Sequence, residues 1–206
     1  MKKVKGLICV LLLLLIVGCE SSKGELVGKE KELSNDVELV SVLEKEVTMI
    51  EAQKEVSFKD QSDNYRLQVN VFGEFGTDED RIIYDIIVDE PKNYMKDVAI
   101  TGLINSEMKE FLKADSLGFS NIAAINQESS SVFTLDPKNN EVKGITSSRA
   151  FLLDENAVNI KNYDKFVNDI KVKVTWTDEA GKVHNDYIKP SNSLINIDKK
   201  AKDYYK

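Results

Sequence analysis

Cysteine is nearly missing from this chain of 206 residues: there are two, Cys9 and Cys19, and none after them. A domain built from the later residues therefore has no disulfide, no thiol nucleophile and no thiolate metal ligand. Histidine is scarcer still. His184 stands alone, which excludes a multi-histidine metal site and any relay that needs two imidazoles. Tryptophan also occurs once, as Trp176, and proline three times. Positive charge is in deficit, with 28 Lys and Arg against 35 Asp and Glu and a net charge of −7. That balance argues against a nucleic-acid partner, which is held through basic patches, and against lying flat on an anionic bilayer. The chain also lacks a Gly-rich phosphate loop, a Gly-x-Ser-x-Gly elbow and a zinc-protease helix motif.

The first residues do carry a pattern. Lys2, Lys3 and Lys5 precede an uncharged apolar run from Leu7 to Val17, the layout of a secretory signal. The run is short of the roughly 20 apolar residues that a membrane crossing needs, and no Ala-x-Ala site follows it. It ends Ile16-Val17-Gly18-Cys19, which resembles the lipobox of bacterial lipoproteins. The resemblance implies cleavage between Gly18 and Cys19 and a diacylglyceryl thioether on Cys19. It leaves open whether the new amino group also takes an acyl chain such as palmitate. It further implies a membrane partner through the lipid and a place on the extracytoplasmic face of the cell membrane. Each buried methylene contributes about 0.8 kcal/mol, so one chain binds marginally and two hold firmly. An uncleaved apolar anchor is the alternative. Residues 1–18 contain three lysines and no acid, so the remainder carries −10.

Four segments follow from composition: a signal peptide at 1–18, a flexible tether at 19–35, a single β-rich domain at 36–190 and a C-terminal tail at 191–206. The tether is mostly Ser, Lys, Gly and Glu, with little to bury; as a coil it reaches on the order of 20 Å.

Residues 37–56 fit two readings. Val40, Leu43, Val47 and Ile50 have helical spacing, whereas the β-branched Val47, Thr48 and Ile50 suit strands, and the strand-like sequence that follows favours strands. Beyond them, Leu67, Val69 and Val71 alternate with polar residues, the pattern of a half-buried strand. Phe72 to Asp80 is rich in turn residues, and its Asp78, Glu79 and Asp80 read as a solvated acidic turn rather than a calcium loop, because the spacing is wrong for one. Arg81–Asp89 has apolar groups on both faces and reads as a central strand. Val98–Ile104 is a further strand. Ser106–Lys113 is the expected short helix, capped by Ser106, with Met108, Phe111 and Leu112 toward the core. Ser131–Leu135 and Val142–Leu153 flank a turn at Asp136-Pro137. Ile170, Val172, Val174 and Trp176 alternate with Lys171, Lys173, Thr175 and Thr177, and after Asp178 to Lys182 the chain returns through Val183–Ile188 as a β-hairpin. Trp176 continues the inward face, so it belongs to the core.

The expected fold is mostly β: an immunoglobulin-like β-sandwich with one short helix, a small β-barrel or an α+β domain being the alternatives. A sandwich fixes no function. No catalytic residue, metal site or cofactor emerges from the sequence. Ser129, Ser130, Ser131, Ser147 and Ser148 have no base near them in the chain, and the acids are too numerous for any pair to stand out. The reading is a non-catalytic binding or interaction module that meets an unknown protein or envelope ligand. The alternatives are an accessory solute-capture lipoprotein, which calls for a deep aromatic-lined pocket, and a carboxylate-based hydrolase, which calls for two acids with perturbed ionisation in one cleft.

Overall fold

The computed structural model describes residues 39–76, 79–122, 133–139, 141–155, 157 and 167–199. The chain divides into two compact units, Met1–Ser41 and Val42–Lys206. Of the first, only residues 39–41 are described, so Gly18, Cys19 and the tether at 19–35 lie outside the described residues.

The second unit is a β-sandwich. Its strands are β1 (Arg66–Glu74), β2 (Arg81–Asp89), β3 (Lys96–Ile104), β4 (Gly118–Ser120), β5 (Gly144–Leu152), β6 (Ile170–Thr177), β7 (Val183–Ile188) and β8 (Ile195–Ile197). They form two four-stranded sheets, ordered β5-β2-β1-β8 and β4-β3-β6-β7. Neither sheet closes on itself, so the barrel alternative falls.

The alternating sequence is what builds the two layers. Side chains on a strand point to opposite faces in turn, and Leu67, Val69, Val71, Ile82, Tyr84, Ile86 and Val88 are all buried while their neighbours are exposed or half-buried. Ile170, Val172, Val174 and Trp176 close the core from the other sheet. Tyr84, Phe119 and Phe151 meet in it with ring centroids 6.1–6.4 Å apart. Gly102 makes room for this cluster: a Cβ there would lie 2.6 Å from both Ile86 Cδ1 and Phe119 Cζ. Beside β3, the Asn121 side chain acts as a short piece of strand. It accepts from the Ile100 amide at 2.7 Å and donates to the Val98 carbonyl at 3.1 Å.

Four sequence expectations change. Residues 39–51 are a helix, α1, not strands. Leu43, Glu46, Val47 and Ile50 share its inner side, and Lys173 Nζ reaches Glu46 Oε2 at 2.6 Å and Met49 Sδ at 3.7 Å. A helical period that suits an open sheet face overrides the β-branched content of the segment. The expected helix at 106–113 is a 3₁₀ turn, Ser106–Phe111, and Asn105 caps it in place of Ser106, accepting from the Glu107 amide at 2.7 Å. Of Ser131–Leu135, the described part forms no strand; Leu135 makes only an isolated bridge with Met95. The expected tail at 191–206 contributes β8, which pairs parallel to β1 with Ile195 and Ile197 buried.

Candidate functional site

Connections from both sheets gather at one end of the sandwich around the β6–β7 hairpin. The hairpin turn is built by Asp178. Its Oδ1 accepts from the amides of Ala180 and Lys182, both at 2.9 Å, and Gly181 supplies the positive φ of 80° that closes the turn. The other carboxylate oxygen, Oδ2, lies 2.7 Å from His184 Nε2. This contact, then the backbone donors, holds the Asp178 carboxyl below the usual carboxylate range.

His184 and Trp176 sit opposite each other across the β6–β7 pair. Their rings stack at 5.2 Å and 13°. Trp176 is in turn met edge-on by Tyr65 at 5.6 Å. The tryptophan is only 5 % exposed, whereas the imidazole keeps about a third of its surface open. One ring face of His184 is thus covered and the ring edge is fixed by Asp178.

Next to this pair, Asn64 precedes β1, and Lys92, Asn93 and Tyr94 connect β2 to β3. The Lys92 amide donates to the Asn64 carbonyl at 2.8 Å, and Asn93 Nδ2 donates to Asn64 Oδ1 at 3.4 Å. A third connection, Asp136 to Lys138, is held by the paired backbone bonds between Met95 and Leu135, at 2.8 and 2.9 Å. Asp136 Oδ1 accepts from the Lys138 amide, and Lys138 Nζ reaches Glu179 Oε1 at 3.4 Å, joining this loop to the hairpin tip. Together these three connections and the hairpin enclose an open groove of about 400 Å³.

The groove's chemistry is mixed and polar. Asn64 and Asn93 both donate and accept; Lys92 and Lys138 donate; Asp136, Asp178 and Glu179 accept; Tyr94, Trp176 and His184 offer rings. Among the described residues, no serine, threonine or cysteine lines it. Each of its three carboxylates already holds a donor. Asp178 shifts toward the ionised form, the wrong direction for a general acid.

A second, larger groove of about 630 Å³ runs between α1, the 3₁₀ turn and the ends of β3 and β6. Glu44, Glu51, Glu107, Asp115 and Asp169 border it, with Lys109 and Lys171 between them. Among the described residues, no group of three or more His, Cys, Asp or Glu side chains is arranged to hold a metal ion.

The other residues singled out in the sequence are dispersed. Glu79 pairs with Arg81, and Asp80 accepts from the Gly76 amide; Asp78 lies outside the described residues. Ser148 donates to Asp85 on the outer side of its sheet. Ser147 is buried between the layers. Ser129, Ser130 and Ser131 lie outside the described residues. The exposed large hydrophobic residues among those described are Val40, Val56 and Val183, which share no element. The sequence placed His184 on the return strand of the hairpin and Asp178 in its turn. It carried no sign that Asn64, Asn93 and Tyr94 stand beside them, since those contacts join distant segments.

No family model, no curated protein and no solved structure matches this chain.

Proposed function

We propose that this protein is a lipid-anchored, non-catalytic binding module of the extracytoplasmic face of a cell membrane, and that the groove at the β6–β7 end takes its ligand. The groove carries the reading: three connections and a hairpin tip converge on one concavity whose walls mix donors, acceptors and rings, as small-molecule sites do, and among the described residues no serine, threonine or cysteine lines it. Val42–Lys206 is one compact unit, whereas a clamp-type solute-capture protein closes two lobes on its ligand.

The anchor is proposed from Ile16-Val17-Gly18-Cys19. A diacyl group on Cys19 would hold the domain at a surface while the polar residues up to 35 act as its tether. Mass spectrometry of the protein from its own membranes tests this. A product that starts at Cys19 and carries the diacylglyceryl mass is expected; an intact Met1 or a free thiol at Cys19 refutes it.

The groove is tested with the acyl-free Cys19→Ser chain, sedimented with isolated envelope fragments. Retention should fall when Asn64→Ala and Lys138→Ala are combined. Equal retention of the parent and the double variant refutes the site.

A further inference from the structure

We propose that the ligand of the groove at the β6–β7 end is an uncharged saccharide, bound against the ring of His184 that Trp176 backs and hydrogen-bonded by Asn64, Asn93 and Tyr94. This rests on the binding-module reading above and gives its ligand a chemical class.

The first argument is charge. Lys138 is paired with Glu179 at 3.4 Å, and Asp178 is committed to His184 and to two backbone amides. Asp136 caps its own loop through the Lys138 amide. Lys92 is the one cation lining the groove that has no ion pair among the described residues. The lining therefore offers neither a cluster of free cations for a phosphate nor a cluster of free carboxylates for a basic peptide. A ligand recognised here is selected by hydrogen bonds and shape.

The second argument is the kind of hydrogen bonds. A sugar ring carries hydroxyls around its edge, each able to donate and accept, and C–H groups on its faces. Asn64 and Asn93 lie side by side, 3.4 Å apart between Nδ2 and Oδ1. A carboxamide has two donor hydrogens and two acceptor lone pairs, so this one contact leaves most of both groups' capacity unused. The Tyr94 hydroxyl has no hydrogen-bond partner among the described residues, and Nδ1 of His184 has none either. The groove thus presents paired donor and acceptor groups of the sort that adjacent sugar hydroxyls match.

The third argument is the ring surface. Trp176 covers one face of His184 at 5.2 Å and 13°, and Tyr94 stands half-buried beside it. Aromatic faces are electron-rich and attract polarised C–H groups. A flat ring surface beside amide groups suits the C–H face of a sugar while its edge is hydrogen-bonded. A fully apolar ligand would leave the amides unpaired at a cost. The volume of about 400 Å³ lies within the range of small-molecule sites.

Trp176 is the only tryptophan in the chain, so its fluorescence reports on this groove alone. The experiment titrates the full chain with chitotetraose and with cellotetraose, and in parallel with Gly-Lys-Gly and with inorganic phosphate. Saturable change in Trp176 emission with at least one of the two sugars, confirmed by calorimetry, is expected. Asn64→Ala and Tyr94→Ala should each weaken it about ten-fold, corresponding to ~1.4 kcal/mol. Asn93→Ala, an exposed position, serves as a third variant should either of those fail to fold by circular dichroism. Lys109→Ala, in the second groove, should leave the affinity unchanged.

Silence toward both sugars up to ~10 mM, an affinity near the weak end of specific binding, overturns the inference. So does sugar binding that the groove variants leave intact. A Trp176 response to phosphate or to the tripeptide, with none to either sugar, overturns the saccharide assignment and leaves the groove a binding site. Retention on envelope fragments that is indifferent to the groove variants removes the site itself.

Discussion

Lys173 Nζ lies 2.6 Å from Glu46 Oε2, and the two side chains are 5 % and 14 % exposed. This buried ion pair ties α1 to the outer face of β6. It sits on the side of β6 opposite Trp176, where a lysine would otherwise face solvent.

Breaking one half of such a pair is more harmful than removing both, because the remaining charge is left buried without a partner. Glu46→Gln should therefore cost about 3–5 kcal/mol. The double variant Glu46→Leu with Lys173→Met should recover most of that loss. Urea unfolding of the parent, the single variant and the double variant measures the recovery; equal losses for the single and double variants would show that the pair itself holds nothing.

The helix also depends on Gly118. A Cβ at that position would lie 2.2 Å from Val47 Cγ2, closer than packed carbons tolerate. Gly118→Ala should loosen α1 and cost about 1–3 kcal/mol. Adding Val47→Ala removes the clashing methyl groups and should restore part of the stability. Hydrogen exchange of the amides in residues 43–51 reports the loosening directly.

Ser147 places a hydroxyl between the sheets that has no hydrogen-bond partner among the described residues, in a residue 2 % exposed. An unpaired buried polar group opposes folding by about 1–3 kcal/mol. Ser147→Ala should leave the protein at least as stable as the parent, with a gain of up to ~1 kcal/mol. A clear loss in thermal unfolding would reveal a partner for the hydroxyl.

The hairpin tip should be acid-sensitive. Asp178 is held ionised by His184 and the turn amides, so its folded pKa lies below that of the unfolded chain. Its contribution is therefore complete above the ordinary aspartate value of about 3.9 and is lost as the pH falls through the lower folded value. Trp176 emission, followed from neutral pH down to ~2, should change in that acid window as the imidazole is freed. Asp178→Asn should abolish the step, whereas Glu55→Gln, which alters a separate pairing with Lys189 and Lys171, should not. A step of the same size in Asp178→Asn would rule out this carboxylate as its origin.

Much of the β-structure was legible in the chain because a strand's two faces are a local, two-residue property. Ile82, Tyr84, Ile86 and Val88 declare their inward face without reference to any other segment, and so do Ile170, Val172, Val174 and Trp176. The hairpin tip is local as well, since Asp178 makes its turn bonds within four residues. The candidate site was scarcely legible. His184 and Asp178 are six residues apart and Trp176 pairs across the same hairpin, but Asn64, Asn93 and Tyr94 join them only after the two sheets stack.

The sequence alone therefore determined the sheet faces, the burial of Trp176, the lack of cysteine after Cys19 and the four residues on which the proposed anchor rests. Tertiary structure decided what no local period could. Residues 39–51 carry both helical spacing and strand-forming side chains, and the sheet face bearing Lys173 selects the helix. Ile195–Ile197 is too short to declare itself and becomes a strand by pairing with β1, where Asn196 meets Asn70 across 126 residues of sequence. The physical reason is common to both: an ambiguous or short segment draws its conformation from the backbone bonds and buried surface offered by distant parts of the chain.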